Sequence, residues 1–203
     1  MGYHHGDLRA ALIDAGTELI AEGGLPALSV AEAARRTGVS AAAPYRHFPS
    51  RQDFLVAVAA QAAHDLEDAM RSAADGADSD GEHPVAAIAA AAKAYVHFVA
   101  SRRTGFDVVF APELRGVHDE GLRDAGRAVS DIILLRAIGA TGGDAQVAVD
   151  FLPQFMAIVH GCASLNQVGL FNDLDSAADV AADTVCRLVA ARASASNSGA
   201  VGG

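Results

Sequence analysis

An all-α fold of about nine helices in two domains follows from three features of the 203-residue sequence. Apolar residues recur at three- and four-residue spacing along most of the chain, the period of one helix face. Capping residues at the starts and glycines at the stops punctuate those stretches as helices are punctuated. Hydrophobic content is 51%, rich in alanine and without Trp, which gives an ample core and suits closely packed helices.

The first helix opens at Asp7 and sets Leu8, Leu12, Ala15, Leu19 and Ile20 on one face before stopping at Gly23-Gly24. From Leu28 to Phe48 the chain reads as two short helices joined by a glycine turn. Ser29 and Glu32 form an S-x-x-E capping box for the first of them. Gly38 supplies its left-handed stop. Ser40 caps the next, with Val39 and Pro44 as a hydrophobic staple. Two short helices set at a steep angle by such a turn are a helix-turn-helix, whose second helix enters the DNA major groove. The plain alternative is a tight helical hairpin with no DNA partner. Pro49-Ser50-Arg51-Gln52-Asp53 then starts a longer helix reaching about Ala74.

A loop comes next at 75–84, expected to be poorly ordered. The segment Val85 to Ser101 is helical, with Ile88, Ala91, Tyr95, Phe98 and Val99 near one face. Gly105 to Pro112 is a short apolar stretch, and Glu120 to Ile138 a further helix. After the turn at Thr141-Gly142-Gly143, a long helix runs from Asp144 to about Gly169, bent at Pro153. Ser176 to Arg192 closes the fold. The expected division is a helix-turn-helix domain at 1–50, a larger helical ligand-binding and dimerisation domain at 51–193, and a disordered tail at 194–203.

The net charge of −10 is unusual for a DNA binder, but it is not spread evenly. Residues 1–51 balance Arg9, Arg35, Arg36, Arg46 and Arg51 against Asp7, Asp14, Glu18, Glu22 and Glu32. The remaining residues hold ten basic against twenty acidic side chains, so all the excess acidity lies outside the reading head. An acidic second domain repels DNA and keeps non-specific binding weak.

Three stretches together resemble the TetR family of bacterial transcriptional repressors. They are A-x-x-L-I-A-E-G-G at the end of the first helix, S-V-A-E-A-A-x-x-T-G-V-S through the turn, and Y-R-H-F-P-S-R leading into the fourth helix. The opening YHHGDLR and the later VHGCASLNQVGLF resemble a subgroup marked by a Trp-His-Gly signature. Val159 stands in place of the tryptophan, with His160 and Gly161 matching. The resemblance implies a homodimeric, cytoplasmic regulator, with a double-stranded DNA operator and a small-molecule effector as partners. The rival reading is a helical ligand-binding or scaffold protein whose helix-turn-helix is vestigial.

Ala41, Ala42 and Ala43 would then lie against base edges, because small side chains let a helix sit deep in the groove. Polar readout falls to Ser40, Tyr45 and Arg46. The resemblance puts Tyr45 and His47 on phosphates and Arg51 on another, at the start of the fourth helix, where Ser29 at the second can do the same. It also implies that some of Tyr95, Phe98, Phe106, Phe110, Phe151, Phe155 and His160 line an effector cavity, where each is otherwise an ordinary core residue.

Other chemistries lack their signatures. His4, His5, His97, His118 and His160 show no metal-ligand spacing, so no metal and no cofactor are expected. Cys162 lies two residues from His160, and such residues do not share a helix face. No nucleophile elbow, Walker loop or dinucleotide fingerprint occurs, so an enzyme is not expected. Cys162 and Cys186 are too few and too far apart for a disulfide framework. Phe151 to Asn172 carries no formal charge and is long enough to span a bilayer. Its proline, glutamines, histidine and asparagine argue for a buried helix at a subunit contact, with no membrane partner.

Overall fold

The computed structural model describes residues 7–101, 108 and 111–200. Among them are seven α-helices and three short 3-10 turns, rather than about nine helices. The helices are α1 (Asp7–Gly23), α2 (Val30–Arg36), α3 (Arg51–Ala77), α4 (Pro84–Ser101), α5 (Glu120–Ala140), α6 (Ala145–Gln167) and α7 (Leu174–Ala200). One expected helix and one apolar stretch bear on the difference. The segment after Ser40 forms a 3-10 turn, and most of the stretch from residue 105 lies outside the described residues.

The chain divides into two compact units, Met1–His64 with Arg102–Gly126, and Asp65–Ser101 with Arg127–Gly203. The first therefore takes in more chain than the 1–50 expected from sequence. Its core explains why: Phe54, Leu55 and Val58 of α3 are buried with Leu12, Leu19 and Ile20 of α1, Leu28 just before α2 and Val30 at its start. Val108, Ala111 and Leu114 join the same cluster, with Val117 and Leu122 packed against it. These side chains enlarge the core of a head that would otherwise be small and marginal. Gly16 sits at the tightest point, where a Cβ would meet the Phe54 ring at 2.7 Å and the Val58 side chain at 2.9 Å.

The second unit is built on α4, α6 and α7, each packed on the other two. Its buried faces are rich in alanine: Ala87, Ala91 and Ala92 on α4, Ala148 and Ala163 on α6, Ala177, Ala178, Ala181 and Ala182 on α7. Small side chains shorten the distance between helix axes, which is what the composition implied. Asp144 caps α6, its Oδ1 accepting the N–H groups of Gln146 and Val147 at 3.0 and 3.1 Å. The helix runs through Pro153 unbroken, with that proline on the exposed face.

By length and composition α6 could cross a membrane. Its residues Phe151, Phe155, Val159 and Cys162 are buried in the core of this unit. The acidic loop is shorter than expected, because α3 continues through Ala77. Within the loop Asp78 Oδ1 accepts the His83 N–H at 2.7 Å and Asp80 Oδ1 that of Glu82 at 3.1 Å. At the other end α7 extends to Ala200, so residues 194–200, expected to belong to a disordered tail, are helical.

Candidate nucleic-acid interface

The α2 segment starts as the sequence implies, with Ser29 Oγ accepting the Glu32 N–H at 3.3 Å. The reciprocal half of the capping box is missing. Glu32 turns its carboxylate forward to Arg35, at 2.6 and 2.8 Å, and to Arg36 at 3.4 Å. Two charged donors at i+3 and i+4 outcompete one neutral amide. The hydrogen bonds from Arg35 hold the Glu32 carboxyl down at about 2. Arg36 forks onto Glu22 of α1, at 2.8 and 2.5 Å, and lowers that carboxyl too. The fork clamps α2 to α1.

The turn closes at Gly38, whose φ of 70° is left-handed. Val39 N–H reaches back to Ala34 O at 3.0 Å, the six-to-one bond of a Schellman stop. Beyond Val39 the chain departs from the expected recognition helix. Ala43 N–H donates to Ser40 O at 3.0 Å, Arg46 N–H to Ala43 O at 3.3 Å and His47 N–H to Pro44 O at 2.9 Å, a run of i→i+3 bonds. Pro44 has no N–H to offer Ser40 O, so the α-helical ladder cannot form and the tighter spiral takes its place. Ser40 serves that spiral through its carbonyl and leaves its hydroxyl at the surface.

Pro44 and Phe48 turn inward, Phe48 packing on Phe54 at 5.0 Å between ring centroids. Ser40, Ala41, Ala42, Tyr45 and Arg46 face outward, with Tyr45 51% exposed, while Ala43 and His47 are half-buried. The arginines of the head are then unequal. Arg35 and Arg36 are tied to carboxylates, and Arg9 lies over the Phe48 ring at 5.4 Å. Arg51, expected on a phosphate, donates its Nε to Leu28 O at 3.0 Å and an Nη to Leu25 O at 2.9 Å. Among the described residues the Arg46 guanidinium makes no hydrogen bond or ion pair. It is the uncommitted cation of the outward face.

Behind this surface, Ser50 and Asp53 form a complete box: Ser50 N–H donates to Asp53 Oδ2 at 2.9 Å and Asp53 N–H to Ser50 Oγ at 3.1 Å. The Arg36 fork and the Arg51 tether were not legible in the sequence, since both join residues distant along the chain. Gly16 did leave a signal, being a glycine inside an otherwise good helix.

The expected effector residues belong to the second unit. Tyr95, Phe151 and Phe155 are 0% exposed and Phe98 8%, while Phe106 and Phe110 lie outside the described residues. His160 is half-buried, its Nε2 3.2 Å from Ser164 Oγ. Clefts open on each unit. One of about 580 Å³ on the first unit includes Arg9, His47, Gln52 and His118, and one of about 470 Å³ on the second includes Asp78, Pro84, Leu135 and Arg136. Neither is lined by those aromatics, which are packed as core in this state. Tight packing satisfies apolar rings without a ligand, so periodicity alone could not separate a cavity wall from a core face.

Residues 12–58 match the family of bacterial regulatory proteins described as the tetR family, and residues 88–190 match the tetracyclin repressor-like C-terminal domain. Among solved structures, a Rhodococcus sp. RHA1 protein described as of unknown function is 32% identical. The match covers 94% of this chain and 99% of that one, with a TM-score of 0.75. One described as a possible TetR family transcriptional regulator from Streptomyces coelicolor A3(2) is 26% identical over 76% of this chain and 69% of that one, with a TM-score of 0.57. RolR, solved in complex with resorcinol, shares the fold at 18% identity and a TM-score of 0.60 over 93% of this chain and 91% of that one. None of the curated proteins matches the chain.

Proposed function

The chain belongs to the tetR family of bacterial regulatory proteins, and from that premise we propose that it is a homodimeric repressor released from a two-fold operator by a small-molecule effector. Its domains are those of a DNA-binding transcriptional regulator and not of an enzyme. The observation that carries the reading is the outward face of the turn after Gly38. Tyr45 and the unpaired Arg46 stand there beside Ala41 and Ala42, small enough to let the backbone approach base edges. Ser40 adds an exposed hydroxyl, and Ser29 and His47 flank the face for phosphate contacts. Arg51 positions the α1–α2 connection behind it.

A two-fold dimer sets two such heads about one DNA turn apart and reads an inverted repeat. Support for the dimer comes from α6 and α7. Their outward faces carry Val149, Leu165 and Val180 beside the small Ala157 and Gly161, an apolar surface of the kind that marks a protein contact. Effector release is supported by continuity of the chain. Helices α3 and α5 each begin in the first unit and end in the second, so a ligand that shifts either helix in the second unit acts on the unit that reads DNA. A coupling of about 1–3 kcal/mol weakens operator affinity about 5- to 150-fold. The finer subgroup assignment rests on His160-Gly161 and the YHHGDLR opening.

The test is fluorescence anisotropy on a labelled inverted repeat from upstream of the gene, comparing the wild type with the Tyr45→Ala/Arg46→Ala variant. Tight binding by the wild type alone is the expected result. Equal binding by both would leave a helical ligand-binding or scaffold protein with a vestigial head.

A further inference from the structure

The Tyr95 hydroxyl is buried and has no hydrogen-bond partner among the described residues. Tyr95 is itself 0% exposed, at the middle of α4 where that helix packs on α6 and α7. Its neighbours one turn away on α4, Ala91, Ala92, Phe98 and Val99, are buried and offer no side-chain acceptor. Buried on α6 and α7 are Phe151, Phe155, Val159, Ala181 and Val185, all apolar, and the buried polar atoms of those helices, His160 Nδ1 and Arg192 Nε, make no hydrogen bond to the phenol. A phenol left unpaired in such surroundings is costly, and phenylalanine would fill the same space without that cost. An orphaned polar group in a native core calls for a reason, and an absent partner is one.

We propose that Tyr95 is the polar anchor of the effector site, its O–H donating to an oxygen on a small, largely apolar molecule. This rests on the effector-release reading of the protein and narrows it to a ligand class. The surrounding rings select an apolar body, and one buried donor selects an acceptor oxygen over a hydrocarbon edge. Burial pushes the Tyr95 phenol well above the ordinary tyrosine range, so at neutral pH it is an uncharged donor and does not attract cationic ligands.

Tyr95→Phe removes the hydroxyl and keeps the ring, and p-cresol, acetophenone and p-xylene are probes of similar size with and without oxygen. Titration calorimetry on the wild-type protein without DNA is expected to show p-cresol and acetophenone binding about five- to tenfold more tightly than p-xylene, the worth of one hydrogen bond. In Tyr95→Phe that preference disappears while p-xylene binding stays. The empty variant melts at or above the wild type, because no bond is lost. The proposal is overturned by a preference that survives in the variant, by a clear drop in its melting temperature, or by failure of the oxygenated probes to bind the wild type. Operator anisotropy with the same probes separates the two readings. Tyr95-dependent binding that leaves operator affinity untouched upholds the anchor and sinks effector release.

Discussion

Arg51 Nε donates to the carbonyl oxygen of Leu28 at 3.0 Å, fastening the start of α3 to the residue that leads into α2. A second bond to Leu25 O at 2.9 Å makes the guanidinium a brace across the α1–α2 connection. Arg51→Ala is therefore expected to lower stability by roughly 1 kcal/mol. It should weaken operator binding for all sequences alike while leaving the slope of log affinity against log salt nearly unchanged. Arg51→Lys, lacking the fork, should restore little. A slope reduced by about one with unchanged melting would return Arg51 to a phosphate.

Arg46→Ala is expected to do the reverse. The side chain is exposed and unpaired among the described residues, so melting should not move. Operator affinity should fall, with a salt slope smaller by about one per head if the contact is to phosphate. If affinity is unchanged across salt concentrations, the outward face of the turn is not the DNA surface.

Gly16→Ala places a methyl within 2.9 Å of Phe54 and Val58 and is expected to cost about 1–3 kcal/mol through overpacking. On an open helix the same change would stabilise. Chemical denaturation reads the difference, and a stabilised variant would mean that α1 and α3 separate at little cost.

The Glu22 and Glu32 carboxyls are both held below their ordinary value of 4.5, Glu32 at about 2. Their bonds to Arg36 and Arg35 thus contribute fully above that ordinary value, and the contribution is lost as pH falls through it towards about 2. The melting difference between wild type and Glu22→Gln/Glu32→Gln should be constant near neutrality and shrink across that window. A difference independent of pH would show that the clamp contributes nothing electrostatic.

Leu165→Glu, on the exposed face of α6, is expected to convert a dimer into a monomer at micromolar concentration, since a carboxylate buried in an apolar contact lacks a partner. Sedimentation velocity distinguishes the species. A wild-type protein that sediments as a monomer would remove the contact altogether.

The sequence by itself determined the local events. Ser29 before α2, Gly38 at its end, the Ser50–Asp53 box and Asp144 before α6 are decided by a few neighbouring residues, and hydrogen bonds of short span carry them into the structure. The apolar face of α1 likewise came from periodicity alone. Pro44 is equally local, yet its missing N–H outweighs the staple that its position suggests, and a 3-10 turn replaces the expected helix.

Only the tertiary structure decided which polar groups remain available. Arg36 finds Glu22 fourteen residues away and Arg51 finds Leu28 across twenty-three, pairings that no spacing rule can anticipate. The same holds for the core of the first unit, enlarged by Ala111 and Leu114 from far along the chain, and for the stranded hydroxyl of Tyr95. Periodicity tells which face of a helix is buried. What meets that face depends on packing, and packing determines whether a buried polar atom finds a partner.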